Sequence, residues 1–170
     1  VESNSAADKV GDEPLQIKTK FNETIVAVCE ERKFGIEKIL HENKKTEVVL
    51  LDDAFQHRAV KAGLNILLLD FAWLAKTDFL LPAGNMRESF SARRRADVIV
   101  VTKCPEGMKK DERIRMEEKI ELEKNQNLFF SSLAYGKLKS LFGNSEMEFD
   151  KNTSVVLVTG IADASGIEKY

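Results

Sequence analysis

The chain has 170 residues, 43% of them hydrophobic and 32% charged, with a formal net charge of −2. That is enough to bury one sizeable core, and the balanced charge gives no sign of nucleic-acid binding. No apolar run approaches the roughly 18–20 residues that span a bilayer, and the polar start Val1-Glu2-Ser3-Asn4-Ser5 lacks the basic-then-apolar order of a signal peptide.

The first dozen residues are too polar to pack and predict a flexible lead-in. Gly11-Asp12-Glu13-Pro14 follows. Glycine permits an unusual backbone angle and Pro14 restrains the residue before it, so two acids are held between them. The alternative is a helix start with Asp12 as N-cap and the proline near the first turn. Strand-like runs then recur at residues 25–29, 48–52, 66–70, 98–102, 128–131 and 155–159. Residues 33–43 place Phe34, Ile36, Ile39 and Leu40 mostly on one helical face. Residues 108–124 carry Ile114, Met116, Ile120 and Leu122 among dense charge, as an exposed helix would. This alternation predicts an α/β domain, a mainly parallel sheet covered on both sides by helices. Cys29 and Cys104 show no metal-ligand spacing and read as reduced thiols at or near the ends of buried strands in a cytosolic protein. Residues 142–153 are polar and irregular, a loop or weak edge strand. The run Val155-Val156-Leu157-Val158-Thr159-Gly160 would normally feed a further element, and the first residue is Val; both ends read as cut, so a fragment of a longer protein is expected.

The stretch richest in chemistry is Val48-Val49-Leu50-Leu51-Asp52-Asp53-Ala54-Phe55-Gln56-His57. Four branched aliphatic residues predict a strand buried on both faces, ending in two adjacent carboxylates. Acids at the carboxyl end of a strand are how nucleotide-binding α/β proteins hold Mg²⁺ beside a phosphate chain. Neighbouring strand residues point to opposite faces, so Asp52 and Asp53 divide the work. One reaches the metal, directly or through water, and the other fixes a neighbouring loop or a second metal position. The competing reading is a strand that ends in a solvated turn. His57, with Gln56, is suited to hydrogen-bond a phosphate or a sugar hydroxyl, whereas His41 sits on a charged, solvated helix.

Farther on, Leu80-Leu81-Pro82-Ala83-Gly84-Asn85-Met86-Arg87-Glu88 is an apolar approach, a turn and an Arg-Glu pair. Arg87 can clamp a phosphate with its planar fork, and Glu88 can hold Mg²⁺ or orient Arg87; a loop salt bridge is the alternative. Arg93-Arg94-Arg95 either meets a phosphate or anionic lipid surface or forms a solvated face. The strand at 98–102 ends in Thr102-Lys103, similar to the strand-end [Asn/Thr]-Lys-x-Asp that flanks the base in guanine-nucleotide switches. Pro105 stands where that Asp would be, so no guanine specificity follows, but Lys103 remains a candidate neighbour of a nucleotide base.

In this order, Gly11-Asp12-Glu13-Pro14, Asp52-Asp53-Ala54-Phe55-Gln56-His57 and Leu81-Pro82-Ala83-Gly84-Asn85-Met86-Arg87-Glu88 resemble the tetraacyldisaccharide 4'-kinase family. Its pattern reads Gly-Asp-Glu-Pro, Asp-Asp-Gly-[Leu/Phe]-Gln-His and Leu-Pro-Ala-Gly-Pro-Leu-Arg-Glu. Each motif alone is weak; three in register are specific. Ala54 replaces the usual Gly, which a turn with φ below zero tolerates, and Asn85-Met86 replaces Pro-Leu. The phosphate-cradling Gly-x-x-x-x-Gly-Lys-[Ser/Thr], carried by the family upstream of Gly-Asp-Glu-Pro, does not occur in the chain. A catalytic His of the family lies beyond its end.

The resemblance implies a P-loop NTPase-like (RecA-like) core over residues 1–153 and the start of a second domain over 154–170. It implies ATP and Mg²⁺ as cofactors and an acylated disaccharide phosphate lipid as substrate. It places the parent in lipid A biosynthesis, on the cytoplasmic face of the inner membrane through parts outside this chain, with no role for nucleic acid. By the same resemblance Asp12 is the base toward the sugar 4'-hydroxyl, sufficient where the proton moves late in a loose transition state. Asp52 is catalytic and binds Mg²⁺ or its water, and Asp53 supports the metal or the substrate side. Gln56 and His57 lie near the reacting phosphates or the disaccharide head, Arg87 and Glu88 close the other wall, and Lys103 lies beside the nucleotide. The chain alone is expected to be inactive. Two other readings stay open: a non-catalytic nucleotide- or metal-binding module, and a Mg²⁺-dependent phosphohydrolase with Asp52 as nucleophile. Against the second, haloacid-dehalogenase-type sites space their acids as Asp-x-Asp.

Overall fold

The computed structural model describes residues 1–2, 5–75, 89–140, 146–147, 150, 152–159 and 167. Its sheet is built from the most aliphatic runs. Strands β1 (Ile66–Asp70), β2 (Val98–Thr102) and β3 (Asn127–Phe130) lie in the order β1-β2-β3. Asn127 donates its amide to the Asp97 carbonyl at 3.0 Å and Ser131 donates to Val101 at 2.9 Å, so β2 and β3 advance together and are parallel. Val98 N–H to Asn65 O at 3.1 Å, with the Thr102 hydroxyl to Leu69 O at 3.3 Å, shows the same sense for β1 and β2. An α/β fold with a parallel sheet is thus the observed class, and β1 and β2 begin and end where the sequence puts them. The central strand buries Ile99 and Val101 completely, both at 0% exposure.

Packing divides the chain into two units. One comprises Leu68–Thr77, Val100–Leu122 and Leu128–Tyr170. Its core is Leu69, Leu74, Val101, Cys104, Met108 and Ile120, all buried. Helix α4 (Phe71–Ala75) leaves β1 directly, its first turn held by the Trp73 amide donating to Asp70 Oδ1 at 3.1 Å. Helix α5 (Lys110–Ile120) opens with the Lys109 amide donating to Glu112 Oε2 at 2.9 Å. It ends at Ile120 rather than at 124, because Glu121 turns left-handed at φ 50°. Arg113 of α5 lies over the Phe130 ring of β3 at 5.8 Å. Burial pushes the Cys104 thiol above its ordinary range, and its Sγ donates to Val101 O at 3.3 Å. Strands β4 (Leu138–Lys139) and β5 (Glu146–Met147) form a short antiparallel pair in a sheet of their own, so residues 142–153, expected to be a loop or weak edge strand, contain a two-residue strand.

The other unit comprises Val1–Leu67, Asp78–Ile99 and Glu123–Asn127. It carries α1 (Ala7–Val10), α2 (Asp12–Lys20), α3 (Arg32–Glu42) and a 3₁₀ helix, Phe90–Arg95. Four expectations need correction. The polar lead-in is not all loop, since Ala7–Val10 makes a helical turn. Among the described residues, 25–29, 48–52 and 155–159 do not take strand structure, and Leu50 is 90% exposed. A backbone run becomes a strand only when a neighbour supplies the ladder, and apolar composition alone does not create one. On α3, Ile36 and Ile39 are half-buried while Phe34 and Leu40 are exposed, so its expected apolar face is only partly covered. Helices flank the sheet as expected, but the cover is incomplete among the described residues, since Leu68 of β1 is 64% exposed. Among the described residues no helix is long and apolar enough to cross a membrane.

Candidate functional site

The acids at Asp52 and Asp53 do not end a strand; they open a tight, self-bonded turn. Asp53 N–H donates to Asp52 Oδ1 at 2.9 Å, Gln56 Nε2 donates to Asp53 O at 3.2 Å, and His57 N–H donates to Ala54 O at 2.9 Å. Four expected site residues, Asp52, Asp53, Gln56 and His57, are therefore brought together in one turn. Both carboxylates and the imidazole are exposed. Asp53 takes a left-handed φ of 43°, a conformation Asp tolerates better than most residues. Ala54 is not among the positive-φ residues, so its replacement of the family's Gly costs no backbone strain.

This turn is tied to the 3₁₀ helix. Arg95 lies over the Phe55 ring at 4.5 Å and its Nη1 donates to Phe55 O at 3.0 Å. Arg93, only 5% exposed, covers Phe90 at 4.6 Å and donates to Phe90 O at 3.2 Å. Arg94 pairs with Glu123 at 3.0 Å on the surface. The three arginines thus meet different groups, and only Arg94 is exposed as the solvated-face reading expects.

Asp12 is the first residue of α2, in its positively polarised first turn with Glu13. Gly11, at φ 88°, takes the N-cap position, so the N-cap alternative for Asp12 is wrong, while the glycine does adopt the unusual angle expected of it. Among the described residues no hydrogen bond or ion pair joins Asp12 to the 52–57 turn. Lys103 belongs to the other unit, just past β2, at a left-handed φ of 54°. Its Nζ meets Asp70 Oδ2 at 2.9 Å, and this hydrogen bond is the main cause holding the Asp70 carboxyl below the usual range, helped by the Trp73 amide and opposed by burial. Asp70 was missed in the sequence. The signal was there, since Ile66-Leu67-Leu68-Leu69-Asp70 is an aliphatic run ending in an acid, the same pattern that drew attention to Asp52. Arg87 and Glu88 lie outside the described residues.

No group of three or more His, Cys, Asp or Glu suited to a metal ion occurs among the described residues. That does not conflict with Mg²⁺, which typically takes one or two carboxylates and keeps waters and substrate phosphates in its remaining positions. The exposed Asp52–Asp53 pair fits that donor set, as hard oxygen ligands open to solvent. An open, mainly apolar cleft of about 260 Å³ is lined by Lys33, Ile36, Glu37, Ala59, Val60 and Lys61, none of them an expected site residue.

Comparison with known proteins supplies what geometry alone does not. The chain is 44% identical to the tetraacyldisaccharide 4'-kinase of Bacteroides thetaiotaomicron, over 96% of the chain and 46% of the relative. It is 45% identical to that of Phocaeicola vulgatus, over 94% and 45%, and 40% identical to that of Flavobacterium johnsoniae, over 99% and 50%. The chain spans about half the length of the curated relatives it matches. No solved structure matches it. The family model for tetraacyldisaccharide-1-P 4'-kinase matches residues 1–169, and the chain, carrying the 52–57 turn inside that match, belongs to this family.

Proposed function

We propose that the chain forms part of the catalytic core of a kinase that transfers the γ-phosphate of ATP to the 4'-hydroxyl of an acylated disaccharide 1-phosphate in lipid A biosynthesis. The observation that carries this is the turn with exposed Asp52, Asp53 and His57, inside a family match that spans residues 1–169. In this reading residues 1–153 belong to the nucleotide-binding domain and 154–170 open a second one. The working place is the cytoplasmic face of the inner membrane, where such a lipid is anchored.

Phosphoryl transfer asks for position and charge neutralisation more than for covalent chemistry. Mg²⁺, when bound, neutralises charge on the phosphates; Asp52 would hold it, with Asp53 and Glu88 in support. Asp12 accepts the proton of the acceptor hydroxyl. Gln56 and His57 hydrogen-bond the phosphates or the sugar, Arg87 clamps a phosphate, and Lys103 adjoins the nucleotide.

A chimera of the Bacteroides thetaiotaomicron relative, with its aligned region replaced by residues 1–170, tests the reading. Asp12→Ala should lower turnover by about 10²–10⁴-fold with little change in apparent ATP affinity. Asp52→Ala should weaken both nucleotide binding and turnover, with partial recovery at high Mg²⁺. A lowered melting temperature with normal turnover per folded molecule in Asp12→Ala would remove Asp12 from the chemistry. An unsubstituted chimera that folds and transfers nothing would reject the reading as a whole.

A further inference from the structure

The 3₁₀ helix Phe90–Arg95 uses one device twice. Arg93 and Arg95 each lay a guanidinium over a phenylalanine ring and donate to that residue's carbonyl. For Arg93 the partner is Phe90, three residues away in the same helix, so the contact is local packing. For Arg95 the partner is Phe55, forty residues away and in the middle of the 52–57 turn. The same chemistry serves the helix in one case and the turn in the other.

Arg95 is well placed to hold something still. Ser89 closes the start of the helix by accepting the Ser91 amide at 3.4 Å. At the other end Gln126 Nε2 donates to both Arg93 O at 2.8 Å and Ala96 O at 2.7 Å, clamping the backbone on either side of Arg95. Asp97 then enters the sheet register through its amide to Asn65 O at 2.9 Å, and its carboxylate accepts the Asn65 amide at 2.7 Å. Arg95 is therefore fixed to the framework, while the turn it reaches is fixed by short bonds among its own residues and has Asp53 in a left-handed conformation. Phe55 stands between the two carboxylates and the Gln56-His57 pair, so its position sets both.

We infer that Arg95 is a positioning residue for the 52–57 turn, holding Phe55 by ring and carbonyl so that Asp52 and Asp53 stay aimed for Mg²⁺·nucleotide. What the turn holds rests on the kinase reading; that Arg95 fixes the turn does not. Arg is suited to the task because its planar fork stacks and hydrogen-bonds at once, which an ammonium cannot do. Groups that orient metal-binding carboxylates typically change metal affinity by about 10–100-fold when removed.

Two measurements separate the parts. In the 170-residue chain, Arg95→Met should speed hydrogen exchange of the amides of Asp53 and His57, while Arg94→Met, which removes only the surface pair with Glu123, should not. Unchanged exchange in Arg95→Met overturns the proposal whatever the kinase assay gives. In the chimera, Arg95→Met and the milder Arg95→Lys should raise the Mg²⁺ concentration for half-maximal turnover by about 10–100-fold and by less, respectively, with KM for the disaccharide lipid unchanged. A fall in melting temperature with an unchanged Mg²⁺ requirement marks Arg95 as merely structural and also overturns the proposal. If the unsubstituted chimera is inactive, the kinase reading fails, and Mn²⁺ titration of the 170-residue chain takes the place of turnover: Arg95→Met must weaken Mn²⁺ binding for the proposal to stand.

Discussion

Val98-Ile99-Val100-Val101 and Val48-Val49-Leu50-Leu51 have nearly the same composition and opposite fates. The first is the middle strand of the sheet, with Ile99 and Val101 removed from solvent. The second has no strand pairing among the described residues, and it leaves Val48 and Leu50 exposed while Val49 and Leu51 are only half-buried. What separates them is company. Asn65 meets the start of β2 on one side and Asn127 on the other, so its amides and carbonyls have partners before its side chains pack. Among the described residues, 48–51 have no such ladder, and without one none of their four apolar side chains is fully buried.

Mutation can sharpen or break this contrast. Ile99→Ala should cost the most, about 2–5 kcal/mol by chemical denaturation, since a fully enclosed side chain leaves a cavity. Gln126→Leu should cost less, about 1–3 kcal/mol, because two carbonyls flanking Arg95 and leading into β2 lose their shared donor. The pair of Asp70, the last residue of β1, and Lys103, the first residue past β2, adds a smaller, pH-dependent part. A carboxyl held below its ordinary range contributes stability above its unfolded pKa and loses it as pH falls through the folded value. Asp70→Asn should therefore lower the melting temperature at neutral pH and flatten the loss of stability below about pH 4, by no more than about 1 kcal/mol for so accessible a pair. Leu50→Ala should change stability by no more than about 0.5 kcal/mol. If it costs as much as Ile99→Ala, residues 48–51 are buried in solution and the contrast collapses.

The same contrast explains what could be read from the sequence. Residues 66–70 and 98–102 were legible to the residue, because a compact aliphatic run bounded by polar residues reports a buried strand whenever neighbours exist. Residues 25–29, 48–51 and 155–159 carry the same local signal, and nothing in a local window states whether a partner will be there. The order of the three motifs identified the family, because motif spacing is one-dimensional information. The stacking of Arg95 on Phe55 was invisible for the opposite reason: it joins a basic triplet to an aromatic forty residues earlier, and neither residue is unusual by itself. Asp70 was overlooked although the pattern that singled out Asp52 applied equally to it.

The parallel sheet also sets how the chain comes together in time. Asp97 meets Asn65 thirty-two residues back and Asn127 thirty residues ahead, so no tight hairpin can start the sheet. Each edge of β2 must wait for a loop of that size to close before its first bond repays the lost freedom. Helices α3 and α5, whose bonds span four residues, can flicker into being on a submicrosecond scale, whereas β2 must await both closures. Until then Ile99 and Val101, the most completely hidden side chains of the finished sheet, are in water, and the interval before β2 docks is when this chain is most exposed to aggregation.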